Sequence, residues 1–359
     1  MKFVHIADMH FDSPFTELNN SNLCKTRKLE QRKVFKKVID YIKENNIEYL
    51  FIAGDLYEHE YIRKSTIDYI NGLFEEIKNT KIYITPGNHD PYVNGSYYES
   101  YEWSSNVYIC KSELEIIHEK DAYIYMTAFT DFYMNESPIN KINIQNPNKN
   151  NILITHCDLN GNRDEKGFCY NPILETKINA LKFDLVAMGH IHKTNFKENN
   201  SIIYPGSTIS FGFDELGEHG MVVGSIENGK LSTEFVRLDD RIFTKSEFLV
   251  DNFLDQEQLI EGLNDLQTDI NKMYEIILIG NRNFGINCRE ILKLIDNPNI
   301  LKIKDKTTLG YDIEAISKEN NLRGLFVREI IKKYKTGEYT EQEIEKAIEI
   351  GLNAINWEE

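Results

Sequence analysis

Tyr49-Leu50-Phe51-Ile52-Ala53-Gly54-Asp55 is the stretch on which the fold turns. Five apolar residues in a row, closed by a glycine and a carboxylate, read as a strand covered on both faces, as in the interior of an α/β layer. Upstream, Leu29, Val34, Phe35, Val38, Ile39 and Ile42 recur at helical spacing, and the pattern stops at Asn45-Asn46. Before that helix, residues 3–7 form a short apolar strand. Downstream, Ile67, Ile70, Phe74 and Ile77 mark a second helix and residues 82–85 a third strand. Further strands are predicted at residues 152–155, 184–188 and 202–204. Residues 221–226 and 231–237 flank Asn228-Gly229, a dipeptide suited to a tight hairpin turn. Alternating strands and helices that end in an antiparallel hairpin predict an α/β layered domain with mixed sheets flanked by helices.

A chain of 359 residues is too long for one minimal core and fits two domains with a tail. Near Leu238-Asp239-Asp240 the pattern turns polar, which sets a boundary. Residues 241–306 then read strand, helix (256–270), strand (274–279), helix (288–295), strand (300–303), a small α/β domain. From about Tyr311 the pattern is purely helical. The expected organisation is therefore 1–240, 241–306 and 307–359. Hydrophobic residues at 41% and aromatics at 11% suffice for large cores and exclude global disorder. No apolar run approaches the roughly 20 residues that span a bilayer. The N-terminal apolar stretch is too brief for a signal-peptide core. Five scattered cysteines (Cys24, Cys110, Cys157, Cys169, Cys288) with no CxxC pair argue against a disulfide framework or a thiolate zinc site and fit a reducing cytoplasm. The formal net charge of −16 counts against nucleic acid as a partner. Bound divalent cations would reverse that sign locally, and a partner chain could supply a basic groove.

Five segments share one design: an apolar strand stops at a residue of metal-binding type. They are Asp8-Met9-His10, Gly54-Asp55, Gly87-Asn88-His89-Asp90, His156 and Gly189-His190-Ile191-His192. Ligands of open α/β sheets gather beyond the carboxyl ends of the strands. One crevice there would collect Asp8, His10, Asp55, Asn88, His156, His190 and His192. Carboxylate and amide oxygens with imidazole nitrogens suit borderline-hard divalent ions. Seven ligands exceed one tetrahedral ion and suit two ions bridged by a carboxylate. Taken singly, each segment has a plainer reading as a turn, a cap or a solvated strand end. Taken together, in a fixed order and with five of the nine histidines, coincidence is the poorer account.

The order DxH, GD, GNHD, H, GHxH resembles the signature of the calcineurin-like metallophosphoesterase superfamily. The resemblance implies a layered sandwich, with Asp8, His10 and His192 on a first metal and Asn88, His156 and His190 on a second. It implies Asp55 as the bridge and His89 as the non-ligand catalytic histidine. Asp90 would either orient His89 or cap a loop. The opening 5–15, the segment 204–215 and the small second domain resemble the SbcD-type nuclease branch, which implies a DNA-capping role for residues 241–306. That branch often has a histidine three residues after the bridging aspartate; here Glu58 holds the position and His59 follows, either as its substitute or as a surface residue.

The expectation is a metal-dependent DNA nuclease of end processing and repair, with manganese the first choice of metal and iron or zinc as alternatives. Two other readings are a phosphodiesterase or phosphatase for small nucleotides or phosphoproteins, and a non-catalytic metal-binding scaffold for an ATPase. Amphipathic helices at 323–335, carrying Phe326, Ile330 and Tyr334, and at 341–355 either pack on each other or grip a partner helix. The resemblance implies that this partner is an SbcC-like coiled-coil ATPase, and that the chain forms a homodimer. His5 reads as a core histidine, His118 and His219 as surface residues, and Cys157 as packing.

Overall fold

The computed structural model describes residues 1–15, 18, 21–161, 167–198, 200–310 and 313–356. They divide into two compact units, Met1–Ile242 and Phe243–Glu359. The first unit opens with β1 (Lys2–Ile6), α1 (Ser21–Glu44), β2 (Tyr49–Ile52), α2 (Lys64–Glu75), β3 (Lys81–Ile84), α3 (Tyr97–Ser100) and β4 (Val107–Ile109). It continues with β5 (Glu115–His118), β6 (Ala122–Thr127), β7 (Asn150–His156), β8 (Asp158–Leu159), β9 (Pro172–Ile173) and α4 (Glu175–Leu181). It closes with β10 (Leu185–Gly189), β11 (Ile202–Ile203), β12 (Gly220–Glu227) and β13 (Lys230–Arg237).

These strands build two mixed sheets, ordered β13-β12-β1-β2-β3-β4 and β11-β10-β7-β6-β5. In the first, β1 to β4 run parallel and the β12–β13 hairpin pairs antiparallel onto β1. In the second, β6, β7, β10 and β11 are parallel and β5 is antiparallel. The apolar run 49–53 explains the layering. Alternate residues of a strand face opposite ways. Phe51 and Ala53 join Phe3, Tyr83, Ile124, Ile152, Ile154 and Ala187 in a core between the sheets. Leu50 and Ile52 face the other way, onto Val34, Phe35, Val38 and Ile39 of α1 and Ile70 and Phe74 of α2. A third core, with Leu153, Val186 and Ile178 of α4, covers the outer face of the second sheet. The unit is thus a sandwich of two mixed sheets between helical layers. The hairpin turns at Asn228 (φ 52) and Gly229 (φ 73), both left-handed as a two-residue type I′ turn requires.

The second unit contains β14 (Ile242–Leu249), α5 (Gln256–Asn264), β15 (Lys272–Ile279), β16 (Asn281–Arg282), α6 (Cys288–Leu294), β17 (Ile300–Asp305) and β18 (Thr308–Leu309). The sheet β14-β15-β17 packs Ile276, Leu278 and Ile303 against Leu259, Leu263 and Ile291. Helix α5 stops six residues short of the expected 270. Asn264 Oδ1 there accepts from Asp296 N, and Leu266 O accepts from Asn297 Nδ2, so polar side chains satisfy the backbone outside the helix. The chain ends in α7 (Ile313–Ser317), α8 (Leu322–Tyr334) and α9 (Glu341–Asn356). Val327, Ile348 and Leu352 form their core. Phe326 and Ile330 pack against it, whereas Tyr334 is 44% exposed. No helix among the described residues is long and apolar enough to cross a membrane.

Two buried polar groups of the first unit have measurable consequences. Arg27 on α1 is fully buried and grips Asp239 through both guanidinium nitrogens, at 2.8 and 3.2 Å, and Ser210 O at 2.8 Å. Removing the carboxylate leaves a buried cation without its partner. Asp239→Ala is expected to lower unfolding stability by about 3–5 kcal/mol, read by urea titration. His5 is also fully buried, with Nε2–H donating to Met188 O. Burial pushes its pKa down from 6.5 to about 3. Between those values the unfolded chain binds the proton and the folded one does not, so this contribution to stability falls as pH drops below 6.5. His5→Gln is expected to lessen the stability lost between pH 8 and pH 5 by on the order of 2 kcal/mol, read by urea titration at both pH values.

Candidate metal centre

The ends of β1, β2, β3, β7 and β10 lie at one edge of the two sheets. Asp8 (φ 52), His10 (φ 45), Asp55 (φ 51) and His190 (φ 105) all take left-handed backbone there. Asp and His tolerate that region better than β-branched residues, but such residues still cost of order 1–3 kcal/mol each and persist only where the surroundings hold them. Asp8 N donates to Gly54 O at 3.1 Å and His10 N to Asp55 O at 2.8 Å, which locks the first two loops together. Gly54 (φ 87) admits the ring of His156: a Cβ here would lie 2.2 Å from Nδ1. Gly87 likewise admits Asp55, whose Oδ1 would lie 2.2 Å from a Cβ.

The side chains converge. His10 Nε2 lies 3.0 Å from His192 Nε2 and 3.6 Å from Asp55 Oδ2. His156 Nε2 lies 3.2 Å from Asp55 Oδ2 and 3.0 Å from Asn88 Oδ1. Its Nδ1 is 2.9 Å from Ala53 O and 3.9 Å from Asp8 Oδ1. Ligand atoms within 4.8 Å of one another form three groups: Asp8 with His10 and His192, Asp8 with Asp55 and His156, and His10 with Glu58 and His89. The His190 ring stands beside His156, with centroids 5.2 Å apart, and its backbone N–H donates to Asp8 Oδ1 at 3.0 Å. His59 lies apart from these groups, edge-on to Phe132 at 5.7 Å.

Three carboxylates hold the assembly in place. Glu58 bridges two histidines, taking His10 Nδ1 at 2.8 Å and His89 Nδ1 at 2.9 Å. Glu215 takes His192 Nδ1 at 2.5 Å and Phe211 N at 3.0 Å. Asp90 does not reach His89. Its oxygens accept from Gly87 N (2.7 Å), Asp55 N (3.0 Å), Leu56 N (2.6 Å) and Tyr98 Oη (2.6 Å), so it caps the loops. The reading of His219 as a surface residue is corrected: it is buried, with Ser207 and the Glu215 carbonyl at its ring nitrogens. The sequence flagged Glu58 only as a departure and did not flag the role of Glu215 at all. The segment 204–215 carried the only available signal for Glu215.

Electrostatics link these groups. Burial opposes charge on His156, but Asp55 and Asp8 outweigh it and lift its pKa to about 9. Against the same opposition, Glu215 helps lift His192, and Glu58 helps lift His89, each to about 9. His190, buried and beside His156, falls to about 3. Glu58 is buried too, yet its bonds to His10 and His89 draw it down to about 2. Buried oxygens and imidazole nitrogens thus converge on one small volume, where protons and divalent cations compete for the same lone pairs. With no cysteine in any of the three groups, the donor set fits a borderline-hard divalent ion. Partners that fix a ligating histidine are typically worth 10–100-fold in metal affinity. Glu215→Gln is expected to weaken manganese binding by about that factor with the fold intact, read by calorimetry and circular dichroism.

Comparison with known proteins agrees with this geometry. The chain is 25% identical over 285 residues to the protein named Uncharacterized metallophosphoesterase YhaO of Bacillus subtilis, covering 76% of this chain and 69% of that one. It is 27% identical over 266 residues to the SbcD component of the nuclease SbcCD of Staphylococcus epidermidis, covering 65% and 68% of the two chains. It is 24% identical over 267 residues to the protein of the same name from Staphylococcus saprophyticus, covering 66% and 69%. The family model described as Calcineurin-like phosphoesterase matches residues 1–194. That span is just over half of the 359 residues and carries every strand-end donor described above. With its sandwich of mixed sheets and its cluster of oxygen and imidazole donors, this chain belongs to the calcineurin-like phosphoesterases.

Proposed function

We propose that this chain is a metal-dependent nuclease that hydrolyses DNA phosphodiester bonds in end processing and repair. The observation that carries the reading is a divalent-metal donor cluster with a cationic histidine beside it, on a chain similar to two nuclease components. Asp8, His10 and His192 would hold one ion, Asn88, His156 and His190 a second, with Asp55 between them. Two divalent cations, when bound, supply Lewis acidity toward the phosphoryl group and toward the attacking water. Glu58 holds His89 by Nδ1, which leaves Nε2 as the atom that can give up a proton. The His89 side chain is 46% exposed, within reach of an incoming substrate. Its positive charge offsets charge on the phosphoryl oxygens, and its proton passes to the leaving oxygen. Manganese is the proposed ion, and the cytoplasm the proposed compartment.

The proposed partner is an SbcC-like coiled-coil ATPase. Phe326 and Ile330 are already packed within the α7–α9 cluster, so the surface left for a partner helix centres on Tyr334 with the exposed Leu322 and Leu325 of α8. The small α/β core of the second unit is proposed as the DNA-capping element, and the first unit as the homodimer contact.

The test offers manganese-loaded protein end-labelled duplex DNA, single strands and small phosphodiesters, with and without the ATPase. Cleavage of DNA supports the reading; turnover of the small diesters alone overturns it. His89→Ala is expected to keep its metal, by elemental analysis, and to lose about 10²–10⁴-fold in hydrolysis rate, as for a general acid. Unchanged cleavage would refute the assigned role.

A further inference from the structure

We propose that the cleft beside His89 is a stacking subsite for one unpaired nucleobase of the substrate. The proposal deepens the nuclease reading and rests on it. The cleft is about 350 Å³, near the lower end of the roughly 300–1,000 Å³ typical of small-molecule sites. It suits a group the size of a nucleoside and is too small for a duplex. Asn88 and His89 form one wall, so the cleft opens directly from the reacting end of the metal cluster.

The remaining walls are aromatic and unusually open to solvent. Tyr61 is 52% exposed, Tyr133 42% and Phe132 39%. These rings are braced. Phe132 meets the His59 ring edge-on at 5.7 Å, and Tyr133 stacks on Phe168 at 3.8 Å with 13° between the planes. Tyr170 continues the wall to His190, with centroids 5.3 Å apart. An aromatic face therefore runs from the metal cluster to His59.

Charge selects the occupant. Glu58 and Glu60 also line the cleft, so a phosphate placed there meets two carboxylates. A nucleobase is neutral at physiological pH and offers a flat π-face. Stacking of bases on aromatic side chains tolerates any sequence, because every base has such a face. The scissile phosphate would lie on the metal side of His89 and the adjoining base on the aromatic side. A base can enter only after leaving its pair and its stack, which is easiest at single strands, frayed ends and mismatches. The cleft thus favours DNA ends over continuous duplex and discriminates against phosphoproteins.

The test is calorimetric titration of the manganese-loaded full chain with dAMP and with 2-deoxyribose 5-phosphate, which lacks the base. Binding of dAMP is expected to be tighter by roughly 5- to 150-fold, the range that loss of one base–aromatic stack covers. Phe132→Ala and Tyr61→Ala are expected to narrow that gap and leave sugar-phosphate affinity unchanged, which also reports that the fold is intact. Equal affinity of the two ligands, binding of neither, or a gap that survives both substitutions would overturn the subsite. A base preference without DNA cleavage in the assay above would remove the nuclease reading and keep the subsite for a nucleotide substrate. DNA cleavage without a base preference would remove the subsite alone.

Discussion

The crowding of buried carboxylates with imidazoles at the strand ends is the constraint on which the rest of the first unit depends. Asp8, Asp55 and His156 are almost wholly removed from water, within a few ångströms of one another. Such a cluster is stable only when positive charge balances it, from protons on nitrogen or from cations. The fold's task is to keep these atoms from moving apart. It does so with parallel strands, whose carboxyl ends share one edge, and with loops fixed in left-handed conformations that few residue types accept. Asp90, accepting from three of those loop amides and a tyrosine, ties the loops after β2 and β3 into one rigid piece.

Much of this was legible in the sequence because the signals are local. A run such as 49–53 between polar punctuation marks a buried strand wherever it occurs, and Asn228-Gly229 prescribes its own turn. The donor segments could be read for the same reason, each being a strand followed at once by a polar residue. Other features were not legible because their causes lie far off in the chain. Residues 122–127 form β6, yet their run of tyrosines and small residues carries no punctuation and becomes a strand only beside β7. His219 looks polar and free, but Ser207 and the Glu215 carbonyl draw it inside. Glu58 and Glu215 are ordinary glutamates until the histidines they hold are brought to them from 48 and 23 residues away.

Glu58 changes the character of the site as well as its shape. One carboxylate binds both a cluster histidine and the free-standing His89, so the orientation of the second depends on the first. A histidine at this position would have offered one nitrogen to each neighbour at most, and no negative charge to keep His89 cationic. The departure from the usual branch pattern therefore strengthens the proton-donating side of the site and gives up an imidazole that could have met the substrate itself.

The donors do not all hang from one sheet. Asp8, Asp55 and Asn88 follow strands of the first, whereas His156 and His190 follow strands of the second. The centre therefore works as a rivet through the seam of the sandwich. Any repacking of Phe51, Ile154 or Ala187 that lets one layer slide over the other shifts donor against donor, with no change in the site's own residues. Drift in this interior is consequently under chemical as well as structural selection, and catalytic tuning can arise from methyl groups that never meet a substrate.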